Sequence, residues 1–445
     1  MRSADARRPP VEAHRRLEAR TVVFSSAACT RLEAMLVAPL ATSIAGWTSA
    51  YGPCMSTRHV PVRIVPRMDV MDGGVDMAAA KHALAFFKDD DEAVITPTQG
   101  GVNNFVLYVD TKGERYVLRM YNNGGETERV RYEHSVLEQL EASGATSTLP
   151  FKLPKYLPSL ETGATMVEMP DGNQACLCEL IPGTLPKTAD PKLLGRAVGQ
   201  LMQAMEKLDV SKLAGEACHP YFEIYQAHPI CTKELFYEYA AGPELDVCRD
   251  AMQTMIEEFQ ACDAFIEKGL RTGLPKQVIH GDLHYDNVLC DEATGDVTGL
   301  LDFEFCGLDW RAIEVAVCLS KYVGEDDPFP LVESFIDGFC ESGRLTPEEI
   351  EGIPDMINLR VMSNAVYFVG RAIAKEDTIA SLTKRADMYA QRMVWVRDNR
   401  EKIVECIRAK MPAEATEEMQ GVVVPTGNAP SQGAAPAGFE WGETF

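Results

Sequence analysis

Apolar and polar residues alternate most clearly between residues 105 and 121, where FVLYV and RYVLRMY flank the turn-forming DTKGE. A period of two across a glycine-bearing connection predicts an antiparallel hairpin, because successive strand side chains point to opposite faces. The period then changes. In TERVRYEHSVLEQLEASG, Val130, Glu133, Leu137 and Leu140 are spaced by three, four and three, which puts them on one helical face, with Gly144 as the stop. TMVEM and ACLCEL around PDGN predict a second strand pair ending at IPG. Beyond Leu185 the pattern is mainly helical, with amphipathic segments near 190–208, 246–269, 331–343 and 386–409. Residues 278–304 are the exception, where VIH, NVL and VTGLLDFEF are short apolar pieces between polar loops. The pattern predicts an α+β fold of two lobes. A small strand-rich lobe over 76–183 precedes a larger helical lobe over 184–411, and ligands commonly bind in the cleft between such units.

The two ends of the chain read differently. The first 68 residues hold ten arginines, no lysine and only Asp5, Glu12, Glu18 and Glu33 as acids, with many Ser and Thr. That is transit-peptide chemistry, and it predicts a leader over 1–75; the plainer alternative is a start at Met55 or Met68. From Pro412 the chain is rich in Pro, Gly and Ala without periodicity, which predicts a disordered tail over 412–445. The net charge of −23 argues against nucleic acid or an anionic membrane as a partner, since phosphate binding needs a basic patch. No apolar run reaches the roughly 18 residues of a membrane span. Thirteen cysteines form no C-x-x-C pair and lie in apolar stretches, which suits reduced core thiols.

Within this frame several polar residues need an explanation. Glu133 sits in an apolar helical stripe and requires a partner to offset its desolvation; Arg119, in YVLRMY, is the candidate cation on the facing sheet. A structural ion pair is the plainer reading. QGGVNN, with Gly100, Gly101 and Asn103, could bring backbone amides to a phosphate or serve as a flexible hairpin. HGDLHYDNVL, residues 280–289, admits a zinc cluster of His280, Asp282 and His284, a catalytic loop, or a polar turn. Zinc would need further clustered His or Cys, which the sequence does not offer. Asp282, Asn287 and Asp302, each at the edge of an apolar piece, form an oxygen-donor set that suits magnesium. Phosphoryl transfer uses such a set: one Asp accepts the proton of the attacking hydroxyl, while an Asn and a second Asp hold magnesium against the nucleotide phosphates.

The order H-G-D-x-x-x-x-N, then L-D-F-E, then G-x-D-W-R-x-x-E resembles the aminoglycoside phosphotransferase and choline kinase superfamily, small-molecule kinases with a protein-kinase-like fold. The resemblance runs over most of residues 94–320. It implies that ATP and Mg2+ are cofactors, that Asp282 is the catalytic base, and that Asn287 and Asp302 are the metal ligands. It implies further that Gly100, Gly101, Asn103, Arg119 and Glu133 serve the nucleotide, and that backbone groups from Glu179 to Ile181 form an adenine hinge. His280 would support the loop, Asp309 and Glu314 would be structural, and His284 would be incidental. Many relatives have Lys where this chain has Arg119, which leaves an inactive pseudokinase scaffold as an alternative. The pattern is most similar to the homoserine kinase type II group, and a plastid leader fits amino-acid synthesis from aspartate; mitochondrial or cytoplasmic placement is the alternative. The expected partner is a small hydroxyl-bearing acceptor. Choline or ethanolamine, hydroxylysine, methylthioribose and aminoglycosides are the alternatives to L-homoserine.

Overall fold

In the computed structural model, which describes residues 76–98, 104–121, 127–186 and 189–411, the chain starts with a helix Met77–Ala85 (α1), whose N-terminal amides are capped by the Asp76 carboxylate. A five-stranded sheet follows, built from Val94–Pro97 (β1), Phe105–Thr111 (β2), Glu114–Met120 (β3), Val167–Glu168 (β4) and Gln174–Glu179 (β5), in the order β1-β2-β3-β5-β4. Every pairing is antiparallel. The hairpin and the second strand pair thus form where the alternation places them. Along β3 the buried positions are Tyr116, Leu118 and Met120, which join α1 and Phe87 in one core. Arg119 points to the other face.

That other face meets a helix, Thr127–Ala142 (α2). Its stripe of Val130, Glu133, Leu137 and Leu140 is buried throughout, and Gly144 leaves it with a left-handed φ of 74°. Beyond β5 the chain is mainly helical: Pro191–Met205 (α3), Lys233–Ala240 (α4) and Arg249–Thr272 (α5) come first. Four short strands interrupt, Lys276–Ile279 (β6), Val288–Cys290 (β7), Val297–Leu300 (β8) and Gly307–Trp310 (β9), paired as β6-β9 and β7-β8. Ile313–Tyr322 (α6), Pro328–Phe339 (α7), Pro347–Ala374 (α8), Ile379–Asp398 (α9) and Arg400–Lys410 (α10) complete the fold. This is the α+β architecture that the pattern predicts.

Two helical expectations need correction. The segment 386–409 is two helices broken at Asn399, whose side-chain amide donates to Trp395 O at 2.9 Å. The longest helix, α8, escaped the periodicity altogether. Its residues 356–370 are all buried, so it has no polar face to mark its period. Among the described residues no helix is long and apolar enough to cross a membrane, and no disulfide forms. The leader over 1–75, the tail over 412–445, and Gly100, Gly101 and Asn103 lie outside the described residues.

Candidate active site

The H-G-D segment leaves β6 and is fixed at every residue. The His280 amide donates to the buried Glu314 carboxylate on α6, and its Nε2 lies 2.8 Å from Leu301 O. Gly281 has a φ of +80°, and a Cβ there would fall 2.6 Å from Phe305 O, so only glycine fits. Its carbonyl accepts from Tyr221 Oη at 2.9 Å. The Asp309 carboxylate in turn accepts the Tyr221 amide at 2.5 Å and the Trp310 amide at 2.6 Å. Burial pushes Asp309 up to about 7 and Glu314 up to about 8, against the backbone amides that favour their ionised forms. These two acids therefore act as braces for the loop, and His280 as its anchor.

Asp282 is what the braces hold. Burial opposes its ionisation, but Arg360, then His284 and Lys321, outweigh it and keep the carboxyl well below the usual range. Arg360 Nη2 lies 2.5 Å from Asp282 Oδ1, and His284 Nε2 lies 3.5 Å from Oδ2. A buried carboxylate held charged and able to accept a proton fits a base that positions a hydroxyl. Asn287 Nδ2 donates to Asp282 O at 2.8 Å, which ties the two residues together.

Asn287 and Asp302 meet through the β7-β8 hairpin. Val288 pairs with Leu300, and the Leu301 amide donates to Asn287 O at 2.9 Å, so the residues that flank this hairpin sit side by side. Asp302 takes a left-handed φ of 66°, rare for a residue with a side chain, and such strain concentrates where function demands it. Arg119 crosses from the sheet to this point. Its Nη2 reaches Asp302 Oδ1 at 2.8 Å and Glu304, and its Nη1 reaches Glu133 Oε1 at 3.2 Å. Glu133 is further held by Tyr156 Oη at 2.5 Å and Tyr121 Oη at 3.2 Å; burial raises its pKa, and Arg119 and Tyr156 partly offset this. Burial, then the charge of Asp302, raises Glu304. Asp302 and Glu304, joined through Arg119, and Asn287, whose backbone pairs with Leu301, all bear side-chain oxygens, the donor chemistry that suits a hard divalent cation.

The structure thus brings Asp282, Asn287, Asp302, Arg119 and Glu133 into one region. Glu179 ends β5 and Ile181 follows two residues later; the Glu179 amide donates to Lys155 O at 3.0 Å. His284 is not incidental: it is buried, and its Nδ1 accepts the Asp286 amide at 3.2 Å while Nε2 faces Asp282. The zinc arrangement does not form. The nitrogens of both histidines are engaged, and among the described residues no group of three or more His, Cys, Asp or Glu is placed to hold a metal. The sequence reading passed over Glu304, Arg360, Lys321, Asp286 and Asn104, whose amide donates to Glu304 Oε2 at 2.7 Å. One signal was available for Arg360 and Lys321: each is a lone cation in an apolar run, the same feature that marked Glu133.

A family model for the phosphotransferase enzyme family matches residues 94–352. Among curated proteins, the homoserine kinase of Rhizobium meliloti is 27% identical over 300 residues, covering 63% of this chain and 82% of the relative. That of Azorhizobium caulinodans is 25% identical over 265 residues, covering 58% and 74%. Among solved structures, a microcompartment-associated aminopropanol kinase aligns with a TM-score of 0.54 at 16% identity, covering 74% of this chain and 99% of the other. An amicoumacin kinase in complex with AMP-PNP and Ca2+ aligns with a TM-score of 0.50 at 16% identity, covering 75% and 94%. These two structures share the fold.

Proposed function

The chain belongs to the phosphotransferase enzyme family and is a small-molecule kinase; from that premise we propose that it moves the γ-phosphoryl group of ATP to the hydroxyl of L-homoserine, giving O-phospho-L-homoserine and ADP. The observation that carries the reading is the buried, ionised Asp282, fixed on one loop with Asn287 and set beside the Asp302 hairpin. The homoserine kinases among its relatives support the choice of acceptor.

In this reading Asp282 orients the acceptor hydroxyl and takes its proton as the oxygen attacks phosphorus. Asn287, Asp302 and Glu304 would hold Mg2+, which supplies charge neutralisation at the phosphate oxygens. Arg119, steadied by Glu133, offers a guanidinium to the same phosphates.

The test is ADP release with ATP and Mg2+ across L-homoserine, choline, ethanolamine, hydroxylysine, methylthioribose and aminopropanol. We expect turnover with L-homoserine and a fall of about 10²-fold or more in kcat for Asp282→Asn, with ATP still bound. Turnover confined to another acceptor would replace L-homoserine, and nucleotide binding without turnover would make the chain a pseudokinase. We also infer plastid import from the leader composition; a fluorescent fusion of residues 1–75 that stays in the cytosol would refute it.

A further inference from the structure

Arg360 lies on α8, about three helical turns after Glu349 and so on the same face. Glu349 is held by Arg311 through two bonds of 2.7 Å, which pins the start of α8 to the end of β9. The helix thereby presents Arg360 to Asp282. Arg360 is buried, and its Nη1 also donates to Asn364 Oδ1 at 3.3 Å. Asn364 is fully buried, and its Nδ2 has no hydrogen-bond partner among the described residues. A second buried cation, Lys321 on α6, stands 3.3 Å from Asp286. Two buried cations and one buried amide whose Nδ2 donor is unspent therefore cluster on the Asp282 and Asp286 side of the loop.

Arg360 touches the Asp282 carboxylate itself, so it is within reach of the groups that neighbour a hydroxyl presented there. Arg360 and Lys321 already face Asp282 and Asp286, and a hydroxy amino acid and its amino alcohol carry the same ammonium, so the carboxylate is the group by which Arg360 can tell them apart. The reaction itself sharpens the point. When Asp282 takes the hydroxyl proton it becomes neutral, and Arg360 loses its counter-charge while still buried. An acceptor carboxylate at Arg360 would supply that charge as the transition state forms, where it accelerates the reaction.

We propose that Arg360, with Asn364, binds a carboxylate of the acceptor, so the site selects hydroxy amino acids over the matching amino alcohols; this rests on the kinase reading above and deepens it. Arg360 is then a specificity residue as well as the partner of the base.

The experiment compares the full chain with Arg360→Met and Arg360→Lys on L-homoserine and its decarboxylated counterpart, 3-aminopropan-1-ol, with the KM for ATP as control. The wild type should favour L-homoserine by at least about 100-fold in kcat/KM, since a site built around a polar group rejects the analogue lacking it. Arg360→Met should cut that preference to within about threefold, largely through the KM of L-homoserine, and leave the KM for ATP unchanged. Arg360→Lys, which keeps the charge, should fall between the two and carries the test if the methionine variant does not fold. A ratio unchanged in the variants would overturn the proposal, because an arginine that only braces Asp282 slows both acceptors alike. A wild type that prefers 3-aminopropan-1-ol would overturn it too. If the wild type ignores L-homoserine but phosphorylates 5-hydroxylysine, the acceptor proposed above falls while Arg360 is judged by the same ratio against 1,5-diaminopentan-2-ol. Turnover of neither amino acid overturns both.

Discussion

Replacing Arg119 by Met would remove the one cation among the described residues shared by Glu133, Asp302 and Glu304. Three carboxylates that contact a single guanidinium lie roughly 5 Å from one another, and at an effective dielectric of about 20 each pair repels by about 3 kcal/mol. The protein has a less costly response, which is to protonate. Glu304 and Glu133 are already raised by burial, so taking up a proton near neutral pH costs less than the full repulsion. Asp302 is about a third exposed, with a side-chain relative SASA of 35%, and water screens its share. The net loss should be about 3–5 kcal/mol, the usual range when one partner of a buried ion pair is removed. Its pH dependence is the distinguishing feature. Without Arg119 the folded-state pKa values of Glu133 and Glu304 rise further above their unfolded values, so the folded variant binds protons more tightly and its stability falls as pH rises. The gap to the wild type, read from urea midpoints at pH 5.5 and pH 8, should therefore widen at pH 8. A gap of under about 1 kcal/mol that is equal at both pH values would show that the three carboxylates do not depend on Arg119 for their charge.

Gly281→Ala should cost about 2–3 kcal/mol, from the left-handed φ and the approach of its Cβ to Phe305 O, and should lower kcat more than the KM for ATP because it moves Asp282. An unchanged thermal midpoint would mean the loop relaxes without strain. Glu314 has a folded pKa of about 8 against an ordinary value of 4.5, so its contribution is complete below pH 4.5 and is lost as pH rises to 8. Glu314→Gln, which mimics the protonated acid, should flatten the urea-midpoint profile across that window by up to about 1.4 kcal/mol per pH unit. A profile that keeps the wild-type slope would assign the pH dependence to another group.

What could be read from the sequence, and what could not, divides along a physical line. The hairpin and the stripe of α2 were legible because each has one wet face, and a wet face prints a period. The loops at 280–287 and 302 were legible because polar residues packed between apolar strand pieces demand a chemical reason. α8 left no such trace, since burial on nearly every face erased the period, and Pro354 within it reads as a break. The same burial hid Arg360. A charge in dry surroundings does announce that a counter-charge exists, but the sequence cannot say which residue supplies it. Arg119 finds Asp302 across 183 positions, and Asp282 finds Arg360 across 78. Only the fold assigns those partners, and it assigns them in a pattern. In the proposed reaction the sheet cation is on the side where Asn287 and Asp302 would meet the phosphates, and the α8 cation on the side where Asp282 would receive the hydroxyl. Both cations are buried against carboxylates that the reaction changes, one group by metal and nucleotide, the other by a proton. On that reading each side of the transfer has a fixed positive charge, and the second, absent from the sequence motifs, is the one that would constrain the acceptor.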